Sequence, residues 1–195
     1  MQPAGCPSAS ISTEGDPVTR LAVVVAVLLV FAVPLQLFAE NPARPAAGVS
    51  FDVGFSPGGT SLAVVEKAIG AAKSEILMAC YEFTSRDIAE TLEAAAHRGV
   101  KVMIVADWKA AHDRYSQTGI LQDAGIPVRL DHHYAIHHHK FMVIDEASLE
   151  TGSFNYTTAA IKHNAENALV IWNVPQVAHI YAAEWRRLWE ESKER

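Results

Sequence analysis

From Tyr134 to Trp172 the chain reads YAIHHHKFMVIDEASLETGSFNYTTAAIKHNAENALVIW. Two runs in it, Phe141 to Ile144 and Ala165 to Trp172, are aromatic and β-branched and of strand length, so they read as core strands. Between and before them stand His138, Lys140, Asp145, Gly152, Ser153 and Asn155, in the spacing H-x-K-x4-D-x6-G-S-x-N. Six fixed residue types at fixed offsets would arise by chance in such a chain with a probability on the order of one in a million.

Residues two apart on an extended strand point to the same face. His138 and Lys140 therefore share one pocket, and His137, His139 and Phe141 face the other way. A neutral imidazole nitrogen can attack phosphorus in line and form a covalent phosphohistidine, splitting one hard displacement into two easier ones. Lys140 would neutralise the non-bridging phosphate oxygens. The Ser153 hydroxyl and Asn155 amide would hydrogen-bond to them as charge shifts in the transition state, and Gly152, in the same phosphate-binding set, lets the backbone turn tightly.

Outward from this stretch, strand-length apolar runs alternate with segments of helical period, the pattern of an α/β domain. Val49 to Phe55 reads as a strand, and a helix capped by Thr60 or Ser61 runs to about Lys73 with Leu62, Val65, Ala68, Ile69 and Ala72 on its buried face. Glu75 to Phe83 is the next strand. Thr84 and Asp87 form a capping box for a helix that ends near His97, with Gly99 as its stop. Val100 to Ala106 suits a strand covered on both faces, which places Asp107 at its carboxyl end, where ligands gather. Tyr115 to Ala124 reads as a helix and Ile126 to Leu130 as a short strand. Beyond Pro175 an amphipathic helix to about Ser192 carries Val177, Ile180, Tyr181, Trp185, Leu188 and Trp189 as packing residues.

Residues 1–39 read as a leader: a stretch rich in Pro, Ser, Gly and Thr, then an uncharged apolar run from Leu21 to Val33, and a cut between Ala39 and Glu40, with Ala47 as a second choice. The alternative is a retained membrane anchor, since Leu21 to Ala39 approaches the roughly 20 residues that span a bilayer. Residues 40–48 are then a linker and 49–195 the catalytic domain, working outside the cytoplasm, in the periplasm or secreted, or anchored and facing outward. Of the two cysteines, Cys6 lies in the leader and Cys80 in an apolar stretch, where a buried structural thiol is expected. A net charge of −6 over 195 residues argues against a chain coated in cations for sequence-independent wrapping of nucleic acid. Positive charge at a polyanion site must be local.

The spacing of His138, Lys140, Asp145, Gly152, Ser153 and Asn155 resembles the signature of the phospholipase D superfamily, and YAIHHHK, ETGSFN and NAENALVIWN are similar to the small bacterial phospholipase D-like endonucleases with one motif per chain. The resemblance implies a mixed β-sheet flanked by helices, an α/β sandwich, and hydrolysis of phosphodiesters without metal or other cofactor. It also implies that Asp145 supports the motif from just outside the phosphate, and that Glu166 is the carboxylate that orients His138 and stabilises its imidazolium. The alternative for Glu166 is a solvated residue at a strand edge.

In-line displacement needs a general acid opposite the nucleophile, and one histidine cannot stand on both sides of phosphorus. No second H-x-K exists: His97, His112, His163 and His179 are each followed two residues on by something else. A homodimer that shares the site is expected, with His138 of one chain as nucleophile and His138 of the other as acid and then base. A metal held by His132, His133, His137, His138 and His139 is a weaker alternative, because adjacent strand residues face opposite ways. Three substrate classes stay open: nucleic acid cut without sequence preference, which leads; phospholipid head groups; and no substrate, in an inactive interaction module. Glu82 and the pair Trp108-Lys109 depart from the resembling family and stand where they would line the approach. Trp108 would either stack on a base or pack on the partner chain.

Overall fold

In the computed structural model, which describes residues 48–194, the apolar runs become the strands of one mixed sheet. These are β1 (Ser50–Ser56), β2 (Glu75–Cys80), β3 (Lys101–Asp107), β4 (Val128–Asp131), β5 (Lys140–Ile144), β6 (Ser148–Gly152), β7 (Glu166–Trp172) and β8 (Lys193–Glu194), lying across the sheet in the order β1-β7-β6-β5-β2-β3-β4-β8. β2, β3 and β4 are parallel. Every other pair is antiparallel. The apolar run read as a leader and the cut after Ala39 lie outside the described residues. Among the described residues no helix is long and apolar enough to cross a membrane.

Alternation along the strands builds two cores. Ile76, Met78 and Cys80 of β2, with Met142 and Ile144 of β5, face the helices α1 (Thr60–Ala71) and α2 (Arg86–His97). Leu77, Ala79, Phe141, Val143 and Leu149 face the long C-terminal helix α6 (Pro175–Glu191). Covered on both sides, residues 76–80 of β2 and 141–144 of β5 are apolar at every position, as strands buried on both faces tend to be. Each large aliphatic side chain so buried contributes about 1.5–3 kcal/mol. Trp185 fixes α6 to the sheet: it is 1% exposed and its indole N–H donates to the Met78 carbonyl at 2.8 Å. The expected α/β sandwich is the observed fold.

Some boundaries differ from the sequence reading, for local reasons. The residue before α1 is Gly59, with φ of 83°, because the Thr60 hydroxyl turns back to the Phe55 carbonyl and Ser61 is buried against Ser56. Ser85, not Thr84, caps α2 and accepts from the Ile88 N–H, while the Thr84 hydroxyl accepts from the Thr158 N–H. The helix expected from Tyr115 shrinks to α4 (Thr118–Asp123), after a short α3 (Trp108–Ala111). β6 and α5 (Thr158–Lys162) had no counterpart in the sequence reading. Cys80 is fully buried and burial pushes its thiol far up, which leaves it inert.

Candidate active site

The carboxyl ends of β2, β3, β4 and β6 and the amino ends of β5 and β7 meet along one margin of the sheet. Register sets the neighbours: Lys140 at the start of β5 pairs with Cys80 at the end of β2, while Phe141 pairs with Thr151 and Gly152 with Ala168. His138 and Lys140 are thereby brought beside Tyr81, and the loop after β6 beside the first residue of β7.

The β5 strand begins at Lys140, so His138 lies in the irregular segment before it. The expected alternation nevertheless holds. The Lys140 ammonium donates to the His138 carbonyl at 2.9 Å and lies 3.1 Å from His138 Nδ1. An ammonium has only hydrogens to offer, so Nδ1 is the acceptor there. Tyr81 lies under both: its ring is 4.8 Å from the imidazole centroid and 5.3 Å from Lys140 Nζ. Lys140 is 9% exposed. Burial lowers its pKa, and the carboxylates of Glu166 and Glu82 pull the other way.

The other histidines of the run serve the scaffold. His137 is buried; its Nδ1 meets Asp131 Oδ2 at 2.9 Å and its backbone N–H donates to Asp107 at 2.9 Å. Burial lowers the His137 pKa despite the pull of Asp131, Asp107 and Glu184, so the ring is held neutral. His139 packs edge-on between His137 and Phe141, at 5.3 and 5.5 Å. Among the described residues no three His, Cys, Asp or Glu side chains converge in the manner of metal ligands.

Ser153 and Glu166 are brought together as a pair. The serine hydroxyl donates to Glu166 Oε2 at 2.6 Å and accepts from the Asn167 backbone N–H at 3.1 Å and its side-chain amide at 3.3 Å. Glu166 Oε1 accepts from Asn164 Nδ2 at 3.0 Å. Glu166 is thus committed to Ser153 and Asn164 within the chain, and the expected hydrogen bond to His138 is replaced by the contact of His138 with Lys140. Asn155 Oδ1 is buried without a hydrogen-bond partner.

Two expectations are corrected. Asp145 is not beside the phosphate position: it follows the far end of β5, about 16 Å along the strand from Lys140 at about 3.3 Å per residue. There it accepts from the backbone N–H groups of Lys73, Ser74 and Glu75 and from the Ser74 hydroxyl, at 2.7–3.2 Å. Gly152 is needed for close approach rather than for a turn, since a Cβ on it would lie 2.1 Å from the Asn167 carbonyl oxygen. Tyr81, Asn164 and Asn167 were missed by the sequence reading. The polar cluster HNAEN between two apolar segments was the available signal for the asparagines, and the end of a core strand was the signal for Tyr81.

An imidazole, a cation against it, a hydroxyl and a carboxylate at a strand-end margin suit chemistry at a phosphoryl centre. Comparison with known proteins agrees. The family model described as cardiolipin synthase, PLD-like domain, matches residues 65–189. The mitochondrial cardiolipin hydrolase of Canis lupus familiaris is 34% identical over 157 residues, 80% of this chain and 61% of that protein. A phospholipase D of Rickettsia conorii is 35% identical over 131 residues, 67% of this chain and 65% of that one. The chain spans about three fifths of the length of these curated relatives. Among solved structures, Nuc of Salmonella typhimurium, a phospholipase D family member, superposes with a TM-score of 0.74 at 40% identity, covering 76% of this chain and 99% of that one. The chain belongs to the phospholipase D-like domain family.

Proposed function

We propose that the protein hydrolyses phosphodiesters through a phosphohistidine on His138. The observation that carries this is the His138–Lys140 contact over Tyr81, at the margin that also holds Ser153 and Glu166. A ring nitrogen of His138 attacks phosphorus, the bond to the leaving oxygen breaks, and that oxygen takes a proton from an acid on the opposite side. Water then attacks phosphorus, gives its proton to the same group, and the phosphorus–nitrogen bond breaks. The attacking nitrogen must be unprotonated, so once Lys140 turns from Nδ1 to a phosphate oxygen the ring exchanges its proton through solvent and presents the other nitrogen's lone pair to phosphorus. The Asn155 amide N–H group binds a phosphate oxygen, and the Ser153 hydroxyl, which donates its one hydrogen to Glu166 in the free protein, turns it to another.

The acid is His138 of a second copy of the chain, which makes the working enzyme a homodimer with a shared site. The support is the sequence itself, in which H-x-K occurs once. Two like histidines in different protonation states produce a bell-shaped rate profile around neutral or mildly acidic pH. The apolar run of residues 21–33 exports or anchors the chain, so this chemistry takes place outside the cytoplasm.

The substrate is nucleic acid, a reading supported by the likeness to Nuc over nearly the whole of that chain. Phospholipid is the second reading, favoured by relatives named for cardiolipin and phospholipase D activity. Full-length protein incubated with plasmid DNA, RNA, phosphatidylcholine and cardiolipin, each with and without EDTA, is expected to cut nucleic acid equally in both conditions. Cleavage of lipid alone would transfer the proposal to the second reading, and loss of activity in EDTA would reject the metal-free mechanism.

A further inference from the structure

At the carboxyl ends of β3 and β4 the surface opens into a hollow of about 580 Å³, within the usual range of small-ligand sites. Its walls are largely apolar and aromatic, with Trp108, Leu130 and Tyr134 facing it. Trp108 is 46% exposed and rests on His112, with ring centroids 4.5 Å apart. Lys109 and Lys193 line it too, and among the described residues neither ammonium is paired with a carboxylate. Two carboxylates also line it, and both are already engaged: Asp107 accepts from the N–H groups of Ala110 and His137, and Asp131 from His133 N–H while it also meets the His137 ring.

This hollow has a neighbour on the side of the active site, and the two share lining residues. Lys109 and His112 also line a second hollow of about 510 Å³, together with Tyr81 and Glu82. Tyr81 is the ring against His138. Asp113 and Glu82 keep that second hollow from being a strong anion site, whereas both carboxylates of the Trp108 hollow are engaged by hydrogen bonds. An aromatic wall flanked by free ammonium groups on a chain of net charge −6 matches one kind of ligand: a flat ring joined to a phosphate.

We propose that the Trp108 hollow is a nucleotide subsite, which stacks one base of the substrate strand on the indole and holds the neighbouring phosphate at Lys109 and Lys193. The inference rests on the nucleic-acid reading of the site and adds to it a specificity-determining residue outside the reacting centre. An acyl chain is the poorer occupant, because it would leave both ammonium groups beside hydrocarbon.

The test compares Trp108→Ala and Trp108→Phe with the parent, all full length, on a single-stranded oligonucleotide and on methyl p-nitrophenyl phosphate, a diester with no nucleoside. For the oligonucleotide, Trp108→Ala is expected to lose about five- to a hundredfold in kcat/KM, mostly through KM, and Trp108→Phe to recover most of it. The small diester should turn over at the parental rate in both. Equal losses on the two substrates, no loss on either, or a Trp108→Ala protein that sediments as a smaller species than the parent would overturn the subsite. A parent that hydrolyses the small diester but never an oligonucleotide would instead overturn the nucleic-acid reading beneath it.

Discussion

At Asp145 one carboxylate accepts hydrogens from three successive backbone amides and a serine hydroxyl, and so ties the β5–β6 turn to the start of β2. Burial works against its ionised form, but the hydrogen bonds from Glu75, Ser74 and Lys73 prevail and its pKa is lowered. A lowered carboxylate contributes stability that is full above its ordinary value of 3.8 and is lost as pH falls through the native value. Asp145→Asn should therefore lower stability at neutral pH by about 2 kcal/mol, the scale of hydrogen bonds to a charged group, while kcat stays within about twofold. A large loss of kcat with an unchanged melting temperature would return Asp145 to the reacting centre. At this scale the expected shared side of His138 and Lys140 is what the structure has, since a two-residue offset survives whether or not the segment is a regular strand. It misplaced Asp145 because five residues of extended chain carry a side chain far from its neighbour in the motif.

Among the elements, β6 was the hardest to read. Its sequence, SLETG, carries a glutamate at a core-facing position and a glycine, and neither suggests a central strand. The structure resolves the conflict: Glu150 lies in register between Met142 and Val170, is 1% exposed, and accepts from the Tyr156 hydroxyl at 2.7 Å. Burial raises Glu150 to a pKa of about 8, with the Tyr156 hydrogen bond opposing, so the acid is largely protonated at neutral pH. Tyr156 follows Asn155 directly, and its carbonyl accepts from the N–H groups of Thr84 and Ser85, so this couple also anchors the segment that carries Ser153 and Asn155.

An acid whose native pKa is raised binds its proton more tightly folded than unfolded. Stability then falls as pH rises from the unfolded value of about 4.5 to about 8 and is level beyond. His137, lowered by burial, has the opposite slope, but only below its ordinary value of 6.5. Urea midpoints measured from pH 6.5 to 8 should therefore decline for the parent and stay nearly flat for Glu150→Gln, which keeps an acceptor for Tyr156. Parallel declines in the two proteins would show that Glu150 is not the titrating group.

At the scale of the molecule, the α/β class and the two covered faces of the sheet were legible because residues 76–80 and 141–144 are unbroken apolar runs and α6 carries its aromatics on one face; the order of the strands across the sheet was not. The subdivision of the loops at the site margin was not, because Ser153, Asn164, Glu166 and Asn167 find one another only through the register of β6 and β7. Partner contacts are of the same kind. Sedimentation of the full-length protein should show a pair of chains, and a lone active subunit would end the shared-site proposal.

The central claim is a covalent bond between phosphorus and a nitrogen of His138. Rapid mixing with a nucleic-acid substrate, an alkaline quench that preserves phosphohistidine, and mass spectrometry of the peptide containing residue 138 measure it directly. The account predicts a nucleotide-mass adduct on His138 that forms and decays within a turnover and is absent from His138→Asn. An unmodified His138 throughout active turnover, or an adduct on another residue, would contradict it.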